Sequence, residues 1–564
     1  MRYLLAALTL SLALVGPLPA QAATPGGVTS TTGVVVCVSP PAAKIGADAL
    51  AKGGNAVDAA VATAFALAVS WPEAGNIGGG GFMLVQPAGS VPASFFDYRE
   101  AAPAAATADM FAKTVDYGSI LTAGVPGSVS GLSLAHTKFG KLPWKELVLP
   151  AAELAANGVP VDAALARSLN AVLDAKTTTN AEFRRVYGKP GGKSGWAAGD
   201  TLKLPDLAAT LRLIAEKGSD GFYAGALAEM VADEMRASGG IMTKADLAGY
   251  QAKERPPIVS TYRGYDIVAA PPPSSGGVTL SLMLNVLETF DLVKHPRQSP
   301  ETVHLMAEAM RRAYRDRAAY LGDPDFTPYP AKLLTKGYAR ELATTIDPKR
   351  ATPSESIAGD IKLTPVAAES DETTHFSVVD RDGMAVSNTT TLENSYGCRV
   401  VVRGAGFLLN NEMTDFNHRP GVTDRTGRIG TPANVVAPGK RMLSSMCPVV
   451  VRKNGKTVLV TGSPGGRTII NTVACVVVNF IDYGMTARQA VDAPRQHMQW
   501  LPDRLSLEDS PQFPALKTKL EAMGTNVTKR RQGDAHTISI DPATGVATAA
   551  ADRRIGGAAE KPAK

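Results

Sequence analysis

Thr373-Thr374-His375-Phe376-Ser377 stands at an abrupt change of character in the chain. Before it, residues 348–372 lose hydrophobic periodicity and turn polar, through Pro353-Ser354-Glu355-Ser356 and Glu369-Ser370-Asp371-Glu372. That stretch reads as an exposed, mobile connector. A threonine hydroxyl is a weak nucleophile near neutral pH unless a base sits beside it. A threonine that is residue one of a chain brings its own base, the α-amine. This amine titrates near about pH 8, within the range that general-base catalysis favours. Such a terminus forms when the hydroxyl attacks the preceding carbonyl and the resulting ester is hydrolysed. On these residues alone a second reading stays open, since paired threonines also suit a strand.

Other chemistries lack their signatures. The run Gly75-Asn76-Ile77-Gly78-Gly79-Gly80-Gly81 continues into Phe82-Met83, whereas a phosphate-binding loop needs Lys-Ser/Thr after its glycines. Four consecutive glycines instead let another chain segment approach the backbone closely. No Gly-x-Ser-x-Gly pentapeptide marks a serine hydrolase elbow, and no His-Glu-x-x-His or Cys-x-x-Cys marks a metal or redox site. Cys37, Cys398, Cys447 and Cys475 are few; three lie beside Val-rich segments that suit buried thiols. One disulfide is compatible with them, and its pairing cannot be assigned from sequence.

The elements that must position Thr373 divide at the connector. Residues 43–70 read as helices broken at Gly53-Gly54, and residues 91–99 as a strand ending in Arg99. From about 140 to 350 the pattern is mainly helical, clearest over Glu301–Tyr320 with Val303, Met306, Met310 and Tyr314 on one face. Pro271–Gly277 is a rigid loop before another helix. After the connector come strands: His375–Asp380 and Met384–Leu392 about Arg381-Asp382-Gly383, then Met446–Arg452 and Thr457–Thr461 about Asn454-Gly455. A helix over 467–480 follows Pro464-Gly465-Gly466. No period of 20–50 residues repeats, which argues against a solenoid.

The 564 residues are 45% hydrophobic and 20% charged, an ordinary globular balance that allows several small domains or one large layered unit. A net charge of +6 is small for this length, and Lys529-Arg530-Arg531 reads as a solvated turn, so nucleic acid is not an expected partner. Arg2, the apolar run Tyr3–Val15, then Ala20-Gln21-Ala22 follow the order of a secretory leader. The run is too short to span a bilayer, which takes roughly 20 apolar residues. Residues 1–22 are therefore expected to be removed, leaving a periplasmic or secreted protein with no membrane span.

Ten segments in order resemble the γ-glutamyltransferase family of N-terminal-nucleophile hydrolases. They are Gly53–Ala60, Gly78–Gly81, Asp97–Glu100, Pro271–Gly277, Tyr320–Asp325, Thr373–Val379, the strand through Thr391, Leu409–Phe416, Leu443–Met446 and Thr461–Gly466. The likeness runs from about Gly33 to Gly557. It implies an α+β fold, a four-layer αββα sandwich of two stacked sheets with helices outside. It implies autocleavage between Glu372 and Thr373, giving a large subunit (23–372) and a small one (373–564) that stay together as a heterodimer. Thr373 would be the nucleophile, Thr391 its hydrogen-bonding neighbour, and Gly465 and Gly466 the oxyanion-hole amides. Arg99, Ser444 and Ser445 would hold the carboxylate of a γ-glutamyl head group, and Glu412 and Asp415 its ammonium. The donor would resemble glutathione, the acceptor would be water or an amino acid or peptide, and neither metal nor cofactor is implied.

Two positions depart from the family pattern. Glu393 stands where many members carry Asn, so one ammonium would face three acids. Either Glu393 or Glu412 is then partly protonated, or Glu393 turns away from the head group. Thr426, within the lid-loop segment Pro420–Gly430, replaces an aromatic latch, which would loosen the lid and favour hydrolysis. These departures keep a cephalosporin acylase-like amidase on the same scaffold as a rival. A non-catalytic exported binding protein is the more distant one, and would remain a single chain after leader removal.

Overall fold

The computed structural model describes residues 27–89, 91–175, 181–191, 195–364 and 373–563. Residues 1–22 and Glu372 lie outside the described residues.

Two seven-stranded sheets form the centre. The first runs in the order Ala558–Glu560, Gly33–Cys37, Thr374–Asp380, Ala385–Thr391, Gly80–Gln86, Ser94–Tyr98, Lys253–Arg255. The second runs Val28–Ser30, Ala547–Ala550, Thr537–Ile540, Lys456–Thr461, Val449–Lys453, Tyr265–Ala269, Ile258–Tyr262. Within both, neighbouring strands pair antiparallel.

Side chains alternate across a strand, so one strand can serve two cores. In the first sheet Val35, Met83, Val85 and Phe96 face a helical layer that includes Ala56–Ser70, Ser128–Phe139 and Trp144–Asn157. Their neighbours Val34, Val36, Phe82, Leu84 and Phe95 join the core shared with the second sheet and the helices Gly276–Leu287, Pro300–Tyr320 and Thr468–Ile481. The result is helix, sheet, sheet, helix, the four-layer sandwich that the sequence implied.

The motif Gly53–Asp58 is a helix start. The Asn55 side chain accepts from the amides of Val57 and Asp58, and the Asp58 carboxylate accepts from Asn55 N at 2.9 Å, a reciprocal capping box. The Ala56 amide also donates to Asp380 at 3.0 Å, so this fully buried helix anchors the far end of the strand that follows Thr373. The glycine run has an equally direct cause. A Cβ on Gly79 would lie 2.2 Å from Thr391 O, and one on Gly81 2.5 Å from Thr389 O.

The structure departs from the sequence reading in two places. The stretch read as helical contains the strands Lys253–Arg255, Ile258–Tyr262 and Tyr265–Ala269. These are short, their hairpin turns at Arg263-Gly264 with φ of 48° and 75°, and Val259 is 58% exposed, so no long alternation announces them. The connector is also not exposed throughout. Ser354 is fully buried within the turn Ser354–Ile357, and its carbonyl accepts from Trp500 Nε1 at 2.8 Å. Residues 365–372 lie outside the described residues. All four cysteines are free and buried.

Candidate active site

Thr373 immediately precedes a central strand of the first sheet, and Thr374 pairs with Thr390 on the neighbouring strand. The strand through Thr391 thus ends beside Thr373, and both residues line one cavity. Arg99, Glu393, Glu412, Asp415, Ser444, Ser445 and Gly466 line the same cavity. Segments far apart in sequence therefore converge, as the family resemblance implied. Gly465 is the exception, lying on the wall of a neighbouring cavity with Pro464, Thr468 and Gly533.

The acidic turn is fixed from its backbone. Asn410 donates through Nδ2 to Gly78 O and Gly124 O at 2.9 and 2.8 Å, while its Oδ1 accepts from Glu412 N at 3.0 Å. The turn Glu412–Asp415 is thereby fastened to the glycine run. Ser444 and Ser445 are held by the loop Pro271–Gly277: Ser444 N donates to Pro273 O, and the Ser275 amide and hydroxyl donate to Ser444 O at 2.7 and 2.6 Å. Arg317 bonds the Ser275 hydroxyl at 2.8 Å and the Ser445 hydroxyl at 2.9 Å.

Arg99 is the electrostatic centre. It is buried, donates through Nε to Met442 O at 3.2 Å, and pairs through its two terminal nitrogens with Glu412 and Asp415. Glu100 lies 3.6 Å from the same guanidinium. The residues assigned from sequence to opposite ends of a zwitterionic head group thus satisfy one another here. An α-carboxylate and an α-ammonium could exchange into this arrangement pair by pair.

Burial pushes the Glu412 carboxyl well above its usual range; Arg99 opposes this, and Glu100, Asp415 and Glu393 reinforce it. The Glu412 version of the protonation expectation accords with that direction. Glu393 faces the cavity rather than away from it, at a φ of 76° that a side chain rarely adopts. Burial likewise pushes Glu100 up to about 7 against the pull of Arg99, and neither Glu100 oxygen has a hydrogen-bond partner among the described residues.

A pH dependence follows. An unfolded glutamate titrates near about 4.3, so between that value and about 7 the folded state holds a proton that the unfolded state lacks. Stability contributed by Glu100 is therefore full below pH 4 or so and lost as pH rises through 7. In Glu100→Gln, the fall in unfolding free energy between pH 5 and 8 should shrink by on the order of 2 kcal/mol. Glu412, which burial also raises, should contribute in the same direction. Denaturant titrations at several pH values test this, and parallel curves for variant and wild type would remove Glu100 as the source.

Gly465 and Gly466 take φ of 123° and 51° just before the helix Thr468–Ile481, and neither amide donates to an acceptor among the described residues. Amides at such a helix start favour negative charge. His375, two residues after Thr373, is not a competing base. Both its nitrogens are engaged, with Thr389 Oγ1 at 2.9 Å and Ser377 Oγ at 3.1 Å, and burial lowers its pKa well below the ordinary value.

Sequence reasoning passed over Glu100, Tyr117, Arg317, Asn434 and Arg467. Of these, Tyr117, Arg317, Asn434 and Arg467 line the cavity, and Glu100 sits behind Arg99. Arg317 carried a readable signal: its helix buries Arg311, Arg312, Asp316 and Arg317 together, charges that an ordinary amphipathic helix would expose. Tyr117 and Asn434 carried none. Thr426 does not line the cavity; its amide and hydroxyl both bond Asp424 Oδ1 within its own loop, at 2.9 and 2.6 Å.

Comparison with known proteins gives this geometry a lineage. Residues 42–561 match the family model described as gamma-glutamyltranspeptidase. A glutathione hydrolase proenzyme of Escherichia coli (strain K12) is 46% identical over 526 residues, covering 91% of this chain and 89% of the relative. An acylase ACY 1 proenzyme of Pseudomonas sp. (strain SE83) is 37% identical over 483 residues, covering 82% of each. Among solved structures, a cephalosporin acylase from Bacillus halodurans superposes with a TM-score of 0.84 at 28% identity, covering 99% of this chain and all of that one.

Proposed function

The chain belongs to the γ-glutamyltranspeptidase family, and from that membership we propose that it cleaves the γ-glutamyl amide bond of glutathione and related compounds. The acyl group passes through a γ-glutamyl ester on Thr373 to water or to an acceptor amine. The observation that carries this reading is the convergence of Thr373, Arg99, Glu412, Asp415, Ser444 and Ser445 on one cavity.

The precursor cuts itself between Glu372 and Thr373, and the new α-amine accepts the Thr373 hydroxyl proton as Oγ1 attacks the γ-carbonyl. Thr391 orients that hydroxyl. The amides of Gly465 and Gly466 stabilise the oxyanion, an effect strongest in a site that excludes water. Arg99 with Ser444 and Ser445 takes the α-carboxylate; Glu412, Asp415 and Glu393 face the α-ammonium. The thiol-bearing dipeptide leaves with the proton returned by the amine. A leader over residues 1–22 directs the protein to the periplasm or the exterior; no helix among the described residues is long and apolar enough to cross a membrane.

The purified, processed protein should release glutamate from glutathione. It should leave intact the glutaryl analogue, which keeps the terminal carboxylate but lacks the α-ammonium. Cleavage of the glutaryl analogue with glutathione untouched would overturn the proposal in favour of the acylase reading. That rival draws on the cephalosporin acylase likeness, but an acyl chain with a carboxylate and no ammonium leaves Glu393, Glu412 and Asp415 on the cavity wall with no cation of the substrate to meet.

A further inference from the structure

A second cavity of about 300 Å³ adjoins the first, at the lower end of the roughly 300–1,000 Å³ usual for small-molecule sites. Tyr117, Thr414, Asp415, Asn417, Ile429 and Arg467 line both, so the two form one continuous space. Their charge balance differs. The first sets the acids Glu393, Glu412 and Asp415 against the cations Arg99, Arg317 and Arg467. The second is lined by Lys113, Arg419, Arg428 and Arg467, and by one acid, Asp415, which is already paired with Arg99.

Lys113 lies within residues 111–117, Arg419 just before the lid segment and Arg428 within it, yet all three converge on this cavity. None of their three side chains has an ion-pair or hydrogen-bond partner among the described residues. Arg467, which also lines the cavity, bonds Gly427 O at 2.7 Å and ties the lid segment to the loop of Gly465 and Gly466. Between the cations the walls are apolar, from Phe111, Val115, Phe416 and Val422.

We propose that this cationic antechamber binds the leaving portion of the donor through a terminal carboxylate. The enzyme would thereby select γ-glutamyl peptides with a free C-terminus over γ-glutamyl amides with an uncharged tail. The inference rests on the γ-glutamyl reading of the neighbouring site. A head group carrying both charges enters the acid-and-arginine cavity, the apolar walls take the side chain next to the scissile bond, and the carboxylate at the far end meets the cations. Guanidinium groups suit this task because their planar fork matches a carboxylate. Lys113, Arg419 and Arg428 are exposed, which makes the attraction sensitive to salt.

The test compares three donors on processed wild type: glutathione, glutathione with its glycine carboxylate converted to the amide, and a γ-glutamyl anilide. Glutathione should exceed its amide by about tenfold in kcat/KM at low salt, and 0.5 M NaCl should erode that preference. The triple variant Lys113→Ala/Arg419→Ala/Arg428→Ala should lose about tenfold more on glutathione than on the amide or the anilide. Arg428→Glu should invert the preference in part, and melting temperatures will identify any variant that fails to fold. Equal treatment of glutathione and its amide by wild type, or equal losses on all three donors in the variants, overturns the antechamber and leaves the γ-glutamyl reading standing. A wild type inactive on all three overturns both.

Discussion

Replacing Thr373 with alanine is expected to leave one polypeptide where the wild type yields two, and to abolish glutamate release from glutathione. The wild-type precursor should give a small fragment of 192 residues beginning Thr-Thr-His-Phe-Ser, readable by N-terminal sequencing and intact mass. In the proposed mechanism both effects have one cause, because the hydroxyl that would open the Glu372–Thr373 bond is the one that would later attack the substrate. The alanine variant has neither the hydroxyl nor, in the unbroken chain, the α-amine that serves as its base. Loss of the nucleophile should lower kcat by at least about 10⁴-fold, as removal of such groups does elsewhere.

The fold adds a second part to the result. Thr374–Asp380, in the expected small fragment, lies between Gly33–Cys37 of the expected large fragment and Ala385–Thr391 of the small one. The second sheet likewise joins Tyr265–Ala269 to Val449–Lys453 across the expected cleavage point. Separating the fragments would break both sheets and the core between them, so they should co-elute until denatured. A single chain in both wild type and variant would end the autocleavage mechanism, whatever activity remained.

The layered architecture was legible wherever local chemistry and burial agree. Asn454-Gly455 marked its hairpin because φ of 51° and 77° suits those two residues. The helix at Glu301–Tyr320 was found within one residue by its apolar face. The hairpin at Arg263-Gly264 was missed because its strands are only five residues each, too short for a sustained alternation to show. At the site, single residues were nearly silent. Arg99 after a strand is usually a surface ion pair, and only the order of ten motifs separated it from that background. Once folded, its burial between Glu412 and Asp415 states the role of a charge centre directly. Lys113, Arg419 and Arg428 illustrate the opposite limit: isolated cations in sequence, whose common orientation exists only after loops from distant segments meet.

Arg99→Lys keeps the charge and removes the fork, and it should lower kcat/KM for glutathione by about 10²–10³-fold, mostly through KM. Arg99 engages Glu412 through one terminal nitrogen, Asp415 through the other, and Met442 O through Nε. Lysine offers one compact ammonium, so it cannot hold both acids and still present two parallel donors to an α-carboxylate. The decisive readout is a pair of donors, glutathione and its analogue lacking the α-carboxylate. Wild type should discriminate strongly between them, and the lysine variant should lose most of that discrimination, which a merely structural role would not produce. Arg99→Ala would be a poorer probe, because it strands Glu100, Glu412 and Asp415 around an uncompensated site, and removing one partner of a buried pair costs about 3–5 kcal/mol in stability. If Arg99→Lys keeps its KM for glutathione within about twofold of wild type and retains full discrimination, the α-carboxylate is held elsewhere, and Ser444 and Ser445 with Arg317 behind them become its binding site.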